Sequence, residues 1–202
     1  MTSPLLLATA LAMGALHAFD VDHLAAVTTF IARRPSSRSA AAYAVRWGLG
    51  HSATLLAVGL ATNLFSFALT PGMRTAAELA VGGMLILLGL WTFRRQGPRV
   101  EHHRSVFWVG VVHGLAGSAG LMLILPVALI SPAWSVTAFI LTFSLGVTLA
   151  MMVYALAVGG MLGRVAGGAG ARWYPWLSGA AGSCTILLGL AWISATLAAR
   201  GA

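Results

Sequence analysis

Six long apolar stretches, separated by short polar ones, run along this chain of 202 residues. They cover about 4–32, 41–69, 74–93, 106–131, 134–162 and 174–199. At 1.5 Å per residue, a helix over any of them is long enough to cross a hydrocarbon core of about 30 Å. The longer stretches predict helices that are tilted or broken. The pattern therefore predicts an all-α integral membrane protein with six transmembrane helices and a single transmembrane domain over 1–202.

Composition agrees with that reading. The chain is 59% hydrophobic and 8% charged, against about 25% charged residues in an ordinary soluble domain. The net charge of +8 comes from twelve arginines and no lysine. These arginines lie between apolar stretches, so they read as topology signals and not as a nucleic-acid surface. Arg33, Arg34 and Arg38 follow the first stretch, Arg94, Arg95, Arg99 and Arg104 the third, and Arg164 and Arg172 the fifth. The positive-inside rule makes those loops cytoplasmic and puts both termini outside. Residues 1–16 lack a basic start and a clear cleavage site, so they read as part of a first transmembrane helix rather than a signal peptide. The lone Cys184 supports neither an intrachain disulfide nor a CxxC motif.

The second half of the chain echoes the first. Gly14-Ala-Leu-His17 resembles Gly110-Val-Val-His113, and Leu49-Gly50 resembles Leu145-Gly146. His17 precedes Gly50 by 33 residues, and His113 precedes Gly146 by 33. Ile86-Leu-Leu-Gly-Leu90 returns as Ile186-Leu-Leu-Gly-Leu190. Three spans per half make the second half inverted in the membrane, a plan that recurs among secondary transporters. The expected organisation is a first repeat at about 4–93, a cytoplasmic Arg/His loop at about 94–105 and a second repeat at about 106–200.

Against this apolar background, His17-Ala-Phe-Asp20-Val-Asp22-His23 places four ionisable groups in seven residues. Such groups are costly in a membrane unless they face a partner, a cavity or an ion. Counting inward from the cytoplasmic ends, His17 lies about 22 Å deep, His51 about 15, His23 about 13 and His113 about 10. The four histidines are thus expected to share one layer. Imidazole with carboxylate suits nickel, cobalt, copper or zinc, and two aspartates balance one divalent cation. On a regular helix His17, Asp20 and His23 share a side, whereas Asp22 points about 140° away from His17. Either Asp22 is a supporting partner, or the helix is unwound there. His113 reads as a ligand or as a helix–helix hydrogen-bond partner. Arg46 reads as a snorkelling residue or as an ion-pair partner of Asp22. Ser52 beside His51, and Ser118 within His113-Gly-Leu-Ala-Gly-Ser118, complete the candidate pathway groups.

These residues resemble a known signature. His17-Ala-Phe-Asp-Val-Asp-His23 is similar to the His-Ala-(Val/Phe)-Asp-Ala-Asp-His motif of the nickel/cobalt transporter (NiCoT/NicO) superfamily. Leu49-Gly50-His51-Ser52 is similar to that family's second-helix Leu-Gly-His-Ser motif. The likeness covers about the first third of the chain. Leu16 stands where the family often has arginine, and Val21 where it has alanine. The later Leu-Gly-Phe-Asp-Thr-Ala-Thr-Glu motif is absent from the sequence, and His113-Gly-Leu-Ala-Gly-Ser-Ala holds a comparable place. With six spans, the chain looks like the shorter urease- or hydrogenase-associated branch.

The resemblance implies a multi-pass protein of the inner (plasma) membrane that is not an enzyme. It implies uptake of Ni²⁺ or Co²⁺ as transported substrate, with no resident cofactor. Carried across, the metal ligands fall on His17, Asp22, His23 and His51, with Asp20, Ser52, His113, Ser118 and Arg46 in or beside the pathway. The expected partners are a divalent transition-metal ion and membrane lipid, with a second copy of the chain or a metallochaperone as further candidates and no nucleic acid. Metal efflux, or delivery to a urease or hydrogenase maturation partner, would use the same site. An intramembrane hydrolase is the competing class. It would need Ser118 with His51 or His113, but the chain has neither HExxH nor G-x-S-x-G around Ser118.

Overall fold

The computed structural model describes residues 3–33, 35–65, 69–94, 103–116 and 132–201. Among the described residues the secondary structure is helical throughout: α1 (Pro4–His17), α2 (Val21–Arg33), α3 (Ser37–Phe65), α4 (Pro71–Phe93), α5 (His103–Ala116), α6 (Ala133–Gly167), a short 3₁₀ turn (Ala171–Trp173) and α7 (Tyr174–Gly201). Helix starts follow local chemistry. The Ser3 hydroxyl accepts from the Leu6 N–H at 3.1 Å, with Pro4 at the first helical position. Thr70 does the same for Met73 at 3.2 Å, ahead of Pro71. Each cap satisfies an otherwise orphaned backbone donor, and proline there removes another.

The first apolar stretch is not one helix. After His17 the backbone tightens, with the Phe19 N–H donating to Leu16 and the Asp20 N–H to His17. These i→i+3 bonds end α1 as a 3₁₀-like turn. The Asp20 carbonyl then accepts from the Leu24 N–H at 3.1 Å and α2 begins. The two helices meet at 61°.

Three helical runs are long and apolar enough to cross a membrane: α4, α6 and Ala171–Ala199, which takes in the short 3₁₀ turn and most of α7. The bent pair α1–α2 qualifies as a fourth when taken together. The six spans expected from sequence are therefore not all matched on this measure. The second corresponds to α3, which has 29 residues but carries Arg38 and Arg46. The fourth is described only as α5, to Ala116; most of the loop at 94–105 also lies outside the described residues.

α1 packs on α6, α6 on α3, α3 on α5, and α4 on α7, with α2 bridging to α7. The buried face of α6 carries Val136, Phe139, Ile140, Phe143, Val147, Met151 and Ala155, a spacing of three to four residues. Its opposite face exposes Leu141, Leu145, Leu149 and Val153. Apolar residues outside as well as inside are what hydrocarbon-facing helices show, and the exposed leucines of α4 and α7 repeat the pattern.

Glycines set the closest approaches. A Cβ on Gly14 would lie 2.0 Å from the Phe143 carbonyl oxygen, and one on Gly110 2.0 Å from that of Trp47. A Cβ on Gly50 would meet the Phe107 carbonyl at 2.1 Å, and one on Gly146 that of Leu11 at 2.2 Å. On α4 and α7, Gly82 faces the Gly189 carbonyl and Gly89 that of Gly182. Helix backbones can touch this closely only where the side chain is absent, and membrane helices use such contacts because water expulsion no longer drives their association.

Polar contacts tie α2 to its neighbours. Thr28 and Tyr154 hydroxyls are 2.6 Å apart, and Thr29 and Thr185 hydroxyls 2.9 Å. At its far end Tyr174 donates to the Ala32 carbonyl, and the Arg33 guanidinium both donates to the Trp91 carbonyl and lies 4.0 Å over the Trp91 ring. α2 is thus held along its length while its start enters the core.

Candidate metal site

The break between α1 and α2 turns the opening motif inward at two points. His17 is the last residue of α1, and Asp22 and His23 lie in the first turn of α2. His51 comes from the middle of α3, and His113 from the last turn of α5. His23, His51 and His113 are buried, each at most 1% exposed. The imidazoles form a contiguous group, with ring centroids 4.7 Å apart for His17–His23, 5.4 Å for His17–His51, 5.4 Å for His23–His51 and 5.0 Å for His23–His113. The layer expected from counting residues corresponds to actual ring contact.

The two aspartates separate. Asp20 sits in the break, its side chain 48% exposed, with Oδ2 2.8 Å from His17 Nδ1. Asp22 is buried; its Oδ1 lies 2.9 Å from His23 Nδ1 and its Oδ2 3.8 Å from His113 Nε2. The unwound turn thus puts His23 against both His17 and Asp22, with rings 4.7 Å apart for His17–His23 and Oδ1 2.9 Å from Nδ1 for Asp22–His23.

Hydrogen bonding leaves a consistent set of atoms over. His17, His23 and His113 each engage Nδ1, with Asp20, with Asp22, and with the Val109 carbonyl at 3.0 Å. Among the described residues the Nε2 atoms of all three have no hydrogen-bond partner, and His51 has none at either nitrogen. A ring whose Nδ1–H donates to an oxygen carries its lone pair on Nε2, the arrangement of a metal-ligating histidine. Two groups of three gather ligand atoms within 4.8 Å of one another: His17, His23 and His51, and Asp22, His23 and His113. A metal–nitrogen bond of about 2.1 Å would place tetrahedral ligands about 3.4 Å apart, so each group would contract around an ion.

The other residues singled out in the sequence take different places. The Ser52 hydroxyl donates to the Gly48 carbonyl of its own helix at 2.6 Å. Arg46 is half-buried on α3. Ser118 lies outside the described residues, and with it the serine-hydrolase arrangement. Trp47 was not singled out from sequence, yet it is fully buried in the cluster. Its ring stacks on His51 at 5.1 Å, meets His23 edge-on at 4.9 Å, and brings Nε1 within 3.3 Å of His113 Nδ1. Its place four residues before His51, on one helix face, is the signal that points to it. Phe143 closes the other side, 5.5 Å from His17.

No family model matches the chain, and no solved structure matches it. Among curated proteins the chain is similar to the urease accessory protein UreH of Bacillus sp. (strain TB-90). The two are 27% identical over 167 residues, covering 73% of this chain and 73% of that protein.

Proposed function

We propose that this chain carries divalent nickel or cobalt across the inner membrane, inward, as a secondary permease. The carrying observation is His51: a fully buried imidazole with no hydrogen-bond partner at either nitrogen among the described residues, in ring contact with His17 and His23. Burying an unpartnered polar group is costly, and a cation that enters and leaves is what removes the cost. Imidazole nitrogen with carboxylate oxygen matches Ni²⁺ and Co²⁺ better than Mg²⁺ or Ca²⁺, which take oxygen. His17, Asp22, His23, His51 and His113 supply the atoms that replace the hydration shell, and Asp20 stands at the access side. The likeness to a urease accessory protein supports a nickel-related role.

Movement is by rocking of two inverted halves. Reciprocal packing supports this. Gly14 and Gly110 are 96 residues apart, as are Phe143 and Trp47, whose carbonyls they touch; the Gly50–Phe107 and Gly146–Leu11 contacts exchange in the same way. The Gly82–Gly189 and Gly89–Gly182 contacts also exchange under the repeat Ile86/Ile186. Contacts that survive swapping the halves are those of a pseudo-two-fold axis, and the histidine cluster lies where the α1–α6 and α3–α5 pairs meet.

Purified protein in sealed vesicles, given radioactive nickel on one side at a time, tests the reading. Inward flux that is lost in His23→Ala supports it, with elemental analysis naming the metal. No flux with stoichiometric nickel binding would favour delivery to a urease maturation partner, a reading that the accessory-protein similarity favours. Flux unchanged in His23→Ala would reject the site.

A further inference from the structure

The cluster offers two sets of three ligands that share His23: three imidazoles from His17, His23 and His51, and a carboxylate with two imidazoles from Asp22, His23 and His113. We propose that these are two successive stations for a single cation and that His23 passes the ion from one to the other. The inference rests on the metal-carrying reading above and adds an order of events to it.

Access gives the direction. His17 lies at the helix break, bound to Asp20, whose side chain is 48% exposed. The His17 and Asp22 side chains are equally enclosed, at 9% exposure each, and His113 is at 0%, so the exposed Asp20 bonded to His17 marks the access side. A cation collected at Asp20 therefore meets the His17 set first. His23 is within ring contact of both His17, at 4.7 Å, and His113, at 5.0 Å. Its Nδ1 contact with Asp22 leaves Nε2 available in the first station. In the second station Asp22 itself becomes a ligand, so the group that first orients His23 then draws the ion on. Two divalent cations sharing one imidazole would repel strongly at this range, so the stations fill one at a time. His17 and His113 are also 96 residues apart, in equivalent places of the two halves, and each has the other half's aromatic ring, Phe143 or Trp47, against it. Each half thus contributes one terminal station histidine, with His23 between.

Co²⁺ is the probe, because its absorption spectrum reports the ligand set. The full chain in detergent is expected to bind one Co²⁺ per molecule, with X-ray absorption counting two or three imidazoles. His17→Gln and His113→Gln should each still bind one Co²⁺ within about tenfold of the parent affinity but with different spectra, while flux falls at least about a hundredfold. His23→Gln should bind none. Two Co²⁺ per chain, or four imidazoles on one ion, overturns the two-station arrangement, and neither measurement needs a variant. Loss of binding in His17→Gln and His113→Gln as complete as in His23→Gln also overturns it, provided the variants elute as the parent does with parental helicity. Absence of any Co²⁺ or Ni²⁺ binding to the parent chain rejects the metal reading itself, which is a different failure.

Discussion

Replacing His51 by leucine should stabilise the metal-free protein while weakening its response to metal. His51 is fully buried and neither ring nitrogen has a hydrogen-bond partner among the described residues. Each such group costs about 1–3 kcal/mol when buried, so the ring carries about 2–6 kcal/mol of unfavourable free energy. Leucine has a similar volume and no polar atom. It forfeits the stacking on Trp47 and the contacts with His17 and His23, at about 0.5–1.5 kcal/mol for an aromatic pair. Three such pairs come to about 1.5–4.5 kcal/mol, so the midpoints leave a net gain of about 1 kcal/mol. For a chain of this size, 1 kcal/mol moves Tm by about 2–4 °C. The parent protein should in turn gain about 2.7 kcal/mol at a metal concentration one hundred times Kd, and His51→Leu, left with Asp22, His23 and His113, should keep about 1.4 kcal/mol of that if its affinity falls tenfold. The assay is thermal unfolding in one detergent at one scan rate, with and without Co²⁺. A lower Tm for metal-free His51→Leu with the full metal-induced shift retained would refute the reasoning, because His51 would then be a packing residue.

Gly110→Ala places a Cβ 2.0 Å from the Trp47 carbonyl oxygen and must part α5 from α3 by about 1 Å; such overpacking costs about 1–3 kcal/mol. His113, one turn further on, should move with it, raising the metal concentration for half-maximal uptake; unchanged uptake with lowered stability would separate packing from site geometry. Gly14→Ala should act alike through Phe143 and His17. Tyr154→Phe removes the hydroxyl contact with Thr28 and should cost about 0.6 kcal/mol, the average for such bonds between membrane helices, with metal uptake unchanged in a vesicle assay. Asp20→Asn, at the exposed side of the cluster, should slow uptake at low metal concentration and leave the maximal rate close to the parent's, measured as initial flux against concentration.

Much of the helical plan was legible because its cause is local. A helix start at Pro4 or Pro71 needs only a capping hydroxyl and a proline, and apolar length alone marks α4, α6 and α7. That His17, Asp20, Asp22, His23, His51 and His113 need a partner, a cavity or an ion was also legible, since isolated ionisable groups in an apolar chain are conspicuous. Their arrangement was not. Regular helical geometry aligned Asp20 with His17 and His23, whereas the helix break puts Asp20 at the surface and Asp22 among the imidazoles.

That outcome depends on interactions between segments far apart in the chain. The turn at 18–20 is stabilised by only a few short-range hydrogen bonds, and α2 is held in its bent position by Thr28–Tyr154, Thr29–Thr185 and the Tyr174 bond to Ala32, all spanning more than 120 residues. Trp47 became part of the site for the same reason: a tryptophan on an apolar helix is ordinary until α5 and α2 close over it. Composition and spacing therefore specify which groups are present and that they must be shielded. Packing selects which of their atoms meet, because a one-turn break or a missing Cβ redirects a side chain by several ångströms at little local cost.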